Sequence, residues 1–145
     1  MVGVLIISHG ELGLCLADCA RHVLGRVPDN LAILGVEKQD NPDARLLDAQ
    51  ALIDKIDDGS GVLVLSDMLG GTPCNIASRL RKRGVVEVVA GVNLPMLVRA
   101  LTYRSQTLDV VVSKAITGGL EGVRYVLPGE YGAACVFDDG EDDAA

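Results

Sequence analysis

The sequence predicts an α/β fold with a doubly wound, mostly parallel open sheet, and three observations support this prediction. Short aliphatic runs alternate with amphipathic stretches along 145 residues, a length that suits one domain. The aliphatic runs lack the polar alternation of a half-exposed strand, as expected when helices cover both faces of a sheet. Hydrophobic residues make up 49% of the chain but aromatic residues only 3%. The core is therefore predicted to consist of Val, Leu, Ile and Ala.

The first half of the chain is predicted to contain two strand–helix units. The first strand covers residues 2–8 and stops at a Ser-His-Gly turn. A helix follows at residues 11–24, because apolar side chains recur there at helical spacing and Gly25 suits a C-terminal cap. The second strand covers residues 31–36. The second helix, at residues 42–56, begins with proline and carries an acid in its first turn.

The second half continues this alternation and adds a fifth helix. The Thr-Pro pair at residues 72–73 has the residue types of an N-cap and a first helical position. A helix is therefore expected to start there and to run through Leu80 to Gly84. The other predicted elements are strands at residues 62–66, 85–92 and 123–127, and helices at residues 96–104 and 108–119.

The four cysteines form no C-x-x-C pair. Cys15 and Cys19 lie four residues apart on the predicted apolar stripe of the first helix, a spacing that fits two metal ligands. No histidine or acid at a suitable spacing completes a site, so buried, reduced thiols are the favoured interpretation. The predicted stripe consists of Leu12, Cys15, Leu16, Cys19 and Val23, and the two other cysteines are Cys74 and Cys135.

Charge and hydropathy narrow the function classes. The formal net charge is −7, with a cluster of acids at residues 138–143. This argues against a nucleic-acid binder, which would show a basic face, and permits a basic protein partner. No apolar run approaches the ~20 residues that span a membrane, and no signal peptide is apparent. We expect a soluble, cytoplasmic protein with a folded domain at residues 1–127 and an acidic, disordered tail at residues 128–145.

Two polar residues are predicted to meet at one edge of the sheet. His9 follows the first strand and Asp67 follows the third. In the strand order 2-1-3-4 of flavodoxin-like folds these strands are neighbours, and their loops leave in opposite directions. The carboxyl ends of parallel strands carry functional loops. The predicted order would therefore bring His9 and Asp67 within hydrogen-bonding distance.

Such a pair is suited to a nucleophilic histidine that attacks phosphorus. A carboxylate on one ring nitrogen selects the tautomer and stabilises positive charge that develops on the ring. The phosphoryl oxygens require hydrogen-bond donors, which Gly70 and Gly71 offer as unshielded amides and Thr72 as a hydroxyl. The helix predicted to start after Thr72 adds the positive end of its dipole. The alternative is that His9 is an ordinary turn residue and the Thr-Pro pair only a cap.

Three motifs of the chain are informative together: the strand ending in Ser-His-Gly at residues 8–10, the segment DMLGGTPCN at residues 67–75 and the segment GVNLPM at residues 91–96. Together they resemble the enzyme IIA domain of the mannose family, part of the bacterial phosphoenolpyruvate-dependent sugar phosphotransferase system. The resemblance covers about residues 2–127. It implies that His9 accepts phosphate, that Asp67 orients it, and that the turn and hydroxyl after Asp67 line the phosphoryl pocket. Asn75 and Asn93 match the motifs and are supporting candidates without an assigned role.

The resemblance also implies partners and an assembly. HPr would donate the phosphate and a separate IIB protein would accept it, in sugar uptake or in its regulation, with no metal or other cofactor. Many relatives continue into a IIB domain, whereas this sequence ends in acidic residues, which is why a separate acceptor is expected. The family forms homodimers in which a C-terminal strand crosses to the partner's sheet, and residues 123–127 are the candidate strand.

Several alternatives remain open at this stage. The phosphotransfer subunit of dihydroxyacetone kinase has a similar fold and also uses a histidine after the first strand. A receiver domain would be phosphorylated at Asp67, but it needs acids after the first strand to hold Mg²⁺, where this chain has only Glu11. A flavin or dinucleotide site lacks its glycine fingerprint here. A binding module with an inert His9 is the non-enzymatic alternative.

Overall fold

The computed structural model describes residues 1–129 and contains one four-stranded parallel sheet. The strands are β1 (Gly3–His9), β2 (Leu31–Val36), β3 (Val62–Ser66) and β4 (Val86–Ala90). Their order is β2-β1-β3-β4, so the predicted doubly wound α/β fold and its strand order are confirmed. Residues 130–145, with Cys135 and nearly all of the predicted tail, lie outside the described part of the chain.

Five helices among residues 1–129 cover the two faces of the sheet. They are α1 (Leu12–Leu24), α2 (Pro42–Ile56), α3 (Thr72–Leu80), α4 (Leu94–Tyr103) and α5 (Leu108–Glu121). One apolar cluster joins α1, α4 and α5 to the side chains on one sheet face, and a second joins α2 and α3 to the opposite face. The central strand β1 contributes to both clusters and is fully buried from Val4 to Ile7. This explains its unbroken aliphatic sequence.

The predicted buried stripe of α1 is confirmed only at Leu16, which is partly buried against the core. Gly13 and Ala20 are the buried residues of the helix, whereas Leu12, Val23 and both thiols of the helix are exposed. A Cβ atom on Gly13 would lie 2.9 Å from Cγ2 of Ile6, so the helix approaches the sheet over its smallest residues. The larger apolar residues of α1 also recur at helical spacing, but they lie on the flank of the helix next to its buried face. Their pattern therefore predicted the wrong face. The prediction that Cys15 and Cys19 are buried is therefore also wrong, while Cys74 is buried.

One helix is shorter than predicted, and one predicted strand does not form. Helix α3 ends at Leu80, because Lys82 forms an isolated antiparallel bridge with Val86 and turns the chain into β4. Residues 123–127 form no strand within the single chain. Val123, Tyr125 and Val126 are among the most exposed apolar side chains of the described residues. The exchange of this segment between two protomers remains a prediction.

No helix among residues 1–129 is both long enough and apolar enough to cross a bilayer.

Candidate active site

The candidate site lies where the chain order of the sheet reverses. Strands β1 and β3 are paired neighbours, and the helices that follow them cover opposite faces of the sheet. The loop after β1 and the loop after β3 therefore diverge and open a crevice at the carboxyl edge. His9 is the last residue of β1, and Asp67 directly follows β3. The predicted proximity of these two residues is observed.

A single carboxylate oxygen of Asp67 accepts two hydrogen bonds from His9. Oδ2 lies 2.9 Å from the backbone nitrogen of His9 and 2.8 Å from its Nδ1. Burial would raise the pKa of Asp67, but the hydrogen bonds from the backbone and ring of His9, with charge attraction, outweigh burial and lower this pKa. An ionised carboxylate only accepts hydrogen bonds, so Nδ1 carries the proton. The lone pair of Nε2 is then free.

Access to the ring differs sharply from access to the carboxylate. The side chain of His9 is 55% exposed, whereas that of Asp67 is 8% exposed. The buried Oδ1 of Asp67 has no hydrogen-bond partner among residues 1–129, and the same holds for the buried hydroxyl of Ser66. The arrangement leaves the imidazole accessible to a large reactant and shields the carboxylate that is hydrogen-bonded to it.

The glycine turn after Asp67 lies against the imidazole ring. A Cβ atom on Gly71 would be 3.0 Å from Cε1 and 3.5 Å from Nε2 of His9. The absent side chain therefore leaves space beside Nε2. Gly70 has φ of +89°, a conformation that favours glycine. The turn thus brings the bare backbone of Gly71 to the ring.

Helix α3 begins at this turn. Gly71 is its N-cap, Thr72 and Pro73 are its first helical residues, and no side chain caps it. Thr72 was predicted to be the N-cap, so that assignment is wrong by one residue. Because the Thr72 hydroxyl forms no hydrogen bond among residues 1–129, it is available to a ligand. The first turn of a helix has amides without intrahelical partners and carries the positive end of the helix dipole, and α3 begins at the turn beside the imidazole.

The two supporting candidates occupy different environments. Asn75 lies exposed in the first turn of α3, where its backbone nitrogen donates to the carbonyl oxygen of Gly71. Asn93 caps α4: its Oδ1 accepts from the nitrogen of Met96 at 2.9 Å, and its Nδ2 donates to the carbonyl of Gly119 at 3.2 Å. The amide of Asn93 is thus used to join α4 to α5.

An acidic side chain lies beside the turn that follows His9. Oε2 of Glu37 lies 3.8 Å from the position that a Cβ on Gly10 would occupy, and Glu11 is exposed at the start of α1. Within residues 1–129, no lysine or arginine forms an ion pair with Asp67. The same range contains no cluster of three His, Cys, Asp or Glu side chains that could hold a metal ion.

Two residues that shape the site were not singled out from the sequence. The buried hydroxyl of Ser8 accepts a hydrogen bond of 2.8 Å from the nitrogen of Gly13 and so fixes the start of α1 behind His9. Gly35 on β2 contacts the backbone of Gly10. A lone glycine within an aliphatic strand is a known sign of close backbone approach, and this signal could have identified Gly35.

Comparisons with known proteins agree on one family. The profile of the EIIA-man family, described as "PTS system fructose IIA component", matches residues 3–116. The chain is 34% identical over 126 residues to the "PTS system mannose-specific EIIAB component" of Escherichia coli, covering 85% of this chain and 39% of that protein. It is 31% identical over 105 residues to the "PTS system fructose-specific EIIA component" of Bacillus subtilis, covering 72% and 71% of the two chains.

Solved structures of similar proteins give the same result. The phosphotransferase system component EIIA from Streptococcus agalactiae has a TM-score of 0.77 at 26% identity, covering 86% of this chain and 97% of that chain. The mannose/sorbose-specific IIA subunit from Enterococcus faecalis also has a TM-score of 0.77 at 26% identity, covering 88% and 96%. The chain spans only about two fifths (39%) of the length of the Escherichia coli relative.

Proposed function

The chain belongs to the EIIA-man family of phosphotransferase-system IIA components, and on this premise we propose that it carries a phosphoryl group on Nε2 of His9. The observation that carries the proposal is the pair of hydrogen bonds from His9 to Asp67, which leave Nε2 free beside Gly71. HPr is the proposed donor and a IIB component the proposed acceptor. The family match favours this function over the dihydroxyacetone kinase subunit.

The proposed transfer exchanges one phosphorus–nitrogen bond for another. The lone pair of Nε2 attacks the phosphorus of the phosphorylated donor, and the bond to the donor nitrogen breaks with its electrons returning to that nitrogen. The proton on Nδ1 stays in place, so the ring becomes cationic and Asp67 offsets the charge. Because such transfers need alignment and charge stabilisation above all, a preset ring contributes directly to the rate.

We assign the phosphoryl oxygens to the start of α3. The amide of Gly70 and the hydroxyl of Thr72 are the proposed donors, aided by the helix dipole. The amide of Gly71 donates to the carbonyl of Met68 at 3.4 Å and would exchange this long hydrogen bond for one to the phosphoryl group. No lysine or arginine among residues 1–129 pairs with Asp67, so the proposed pocket holds the phosphoryl group by neutral donors. A group held in this way remains easy to pass on, which suits a carrier. Because HPr is the proposed donor, the proposed location is the cytoplasm. The proposed role is in sugar uptake or in its regulation.

A homodimer is part of the proposal. Strand β4 forms one edge of the sheet, and the exposed apolar segment at residues 123–127 follows the last helix. Addition of a strand to a free edge satisfies its backbone groups and buries apolar side chains.

The test is the intact mass of the protein after incubation with enzyme I, HPr and phosphoenolpyruvate. Wild type should gain one acid-labile phosphoryl group, and His9→Ala should gain none. His22→Ala is the matched control, because His22 is an exposed histidine on α1 and should not affect the uptake. Absence of uptake by wild type, or uptake that survives in His9→Ala, would contradict the proposal.

A further inference from the structure

We propose that Gly35 is a positioning residue for His9, because its bare backbone is the surface on which the turn after β1 rests. The proposal concerns how the ring is held, and its effect on phosphoryl transfer rests on the proposed function. Gly35 lies on the edge strand β2 and takes no part in the hydrogen bonds between His9 and Asp67. It acts through Gly10, in the turn that follows the adjacent strand β1.

The turn and β2 are in direct backbone contact. Ser8 pairs with Gly35 and His9 with Val36 in the parallel register, and the nitrogen of Gly10 donates to the carbonyl of Val36 at 3.0 Å. A Cβ atom on Gly35 would lie 2.3 Å from the carbonyl oxygen of Gly10. Real Cβ contacts essentially never fall below 3.0 Å, so an alanine requires a shift of about 0.7 Å. Because the obstructing atom is backbone, it cannot rotate away.

Backbone conformation does not explain the glycine. Gly35 is absent from the residues with positive φ, so an L-amino acid could adopt its strand conformation without strain. A glycine also weakens the interior of a strand. The close approach of Gly10 is therefore the feature of this structure that requires a residue without a side chain.

Helix α2 holds strand β2 in place, so a side chain at position 35 would displace the turn after β1 and not β2. The guanidinium of Arg45 on α2 donates to the carbonyl oxygen of Gly35 at 2.8 Å. Arg45 also forms ion pairs with Asp40 at 3.6 Å and with Asp48 at 2.8 Å. The hydrogen bond ties β2 to α2, and the two ion pairs hold the guanidinium in place. Together they resist an outward movement of the strand.

A shift of the turn reaches the ring at once. Gly10 is bonded to His9, whose backbone and ring nitrogens both donate to one oxygen of Asp67, at 2.9 and 2.8 Å. A displacement of this size would stretch both hydrogen bonds beyond their useful range. The orientation of Nε2 toward the space beside Gly71 depends on them. A misplacement near 1 Å can lower a rate by about 10²-fold.

The test compares Gly35→Ala with Gly3→Ala. Gly3 lies at the other end of β1, where a Cβ atom would be 2.8 Å from the carbonyl oxygen of Ile56. Both substitutions thus force a side chain against a backbone oxygen, but only Gly35→Ala displaces the turn at His9. The measurements are the rate of phosphoryl uptake from phosphorylated HPr and the NMR signal of the proton on Nδ1.

Gly35→Ala should slow uptake by about 10²-fold and should weaken or shift the Nδ1 proton signal, while Gly3→Ala keeps both close to wild type. An unchanged signal and rate in Gly35→Ala would overturn the proposal, and so would an equal loss in Gly3→Ala. If wild type takes up no phosphate, the proposed function fails, yet the NMR comparison still tests the positioning.

A second variant covers the case in which Gly35→Ala does not fold. The double variant Gly35→Ala/Arg45→Met also removes the hydrogen bond to the Gly35 carbonyl, so β2 can move outward and relieve part of the overlap with Gly10. It should fold and show a changed Nδ1 proton signal, whereas Arg45→Met alone should keep the wild-type signal because it adds no atom between β2 and the turn. A double variant with the wild-type signal would count against the proposal.

Discussion

At the scale of single residues, the carboxylate of Asp67 combines two tasks in one oxygen. Its Oδ2 accepts from the backbone nitrogen of His9, which fixes the end of β1, and from Nδ1, which fixes the ring. Because both bonds end on the same atom, the strand and the imidazole cannot move independently. The sequence predicted the pair but not the backbone bond, which depends on the local path of two loops.

Asp67→Asn should slow phosphoryl uptake by about 10²- to 10⁴-fold, the range associated with a misplaced or wrongly protonated catalytic imidazole. An amide can donate to Nδ1 and thereby favour the tautomer with its proton on Nε2, which removes the nucleophilic lone pair. Rapid-quench kinetics with phosphorylated HPr measures the effect. Asp43→Asn, at an exposed carboxylate paired with Arg79, is the control. A wild-type rate in Asp67→Asn would refute the role given to Asp67.

The lowered pKa of Asp67 also predicts a pH dependence of stability. A carboxyl whose pKa is lower in the folded state stabilises the fold fully above its unfolded pKa, about 3.9, and loses that contribution as the pH falls through the folded value. The free energy of unfolding of wild type should therefore exceed that of Asp67→Asn at pH 5, and the gap should shrink toward pH 3. Urea denaturation at several pH values measures it. A gap that widens toward pH 3 would contradict the assignment.

Gly71→Ala should impair uptake with little loss of stability. The φ of Gly71 is −85°, which alanine adopts freely, but the new Cβ would lie 3.0 Å from Cε1 of His9. We expect uptake to fall about tenfold or more through misplacement of the ring, while the free energy of unfolding changes by about 0.5 kcal/mol or less. Phosphoramidate, a small donor, makes the measurement independent of protein docking. An unchanged rate with this donor would show that the ring tolerates the methyl group.

At the scale of elements, hydrophobic pattern predicted strands better than helix faces. Val4 to Ile7 in the middle of β1 are aliphatic and fully buried, so their burial on both faces could be read directly from the sequence. Helix α1 meets the sheet over Gly13 and Ala20, whose small size carries almost no hydrophobic signal, whereas only Leu16 of its predicted stripe packs against the core. Likewise, the contact between Gly35 and the turn depends on the spacing of two backbones, which no periodicity reports.

The loop between Asp67 and the glycine turn carries two exposed apolar side chains. Met68 is 62% exposed and Leu69 is 81% exposed. Because any protein that reaches Nε2 of His9 must approach this edge, we expect the loop to contact the donor. Apolar side chains at such a contact contribute to binding when they are buried.

The double variant Met68→Ser/Leu69→Ser should raise KM for phosphorylated HPr and leave the rate with phosphoramidate unchanged. Val27→Ser is the control, because Val27 is 71% exposed but precedes β2, at the edge of the sheet opposite His9. Steady-state kinetics with both donors separates docking from chemistry. Equal losses with the two donors would mean that the loop shapes the ring site instead of the docking surface.

At the scale of the whole molecule, the alternation of strands and helices was sufficient to predict the fold. Right-handed crossovers and the 2-1-3-4 order placed His9 and Asp67 on neighbouring strands, as observed. The assembly could not be predicted in the same way. A strand that forms only against another protomer has no partner within one chain, and residues 123–127 indeed form no strand here.

The exposed segment after α5 should therefore hold two protomers together. Val123, Tyr125 and Val126 are 77%, 83% and 69% exposed, and burial of such side chains contributes roughly 1.5–3 kcal/mol each. A carboxylate in place of the Tyr125 ring would have to be buried in the proposed dimer, so Tyr125→Asp should shift the protein toward monomers. Sedimentation velocity over a range of concentrations measures this shift.

Val27→Asp adds the same charge at a comparably exposed position, 71%, outside the segment, and should leave the dimer intact. Because His9 and Asp67 belong to one chain, the Tyr125→Asp monomer should retain their hydrogen bond and its Nδ1 proton signal. A wild-type protein that sediments as a monomer at every concentration would exclude the exchanged strand. A dimer that survives Tyr125→Asp would instead locate the interface elsewhere on the molecule.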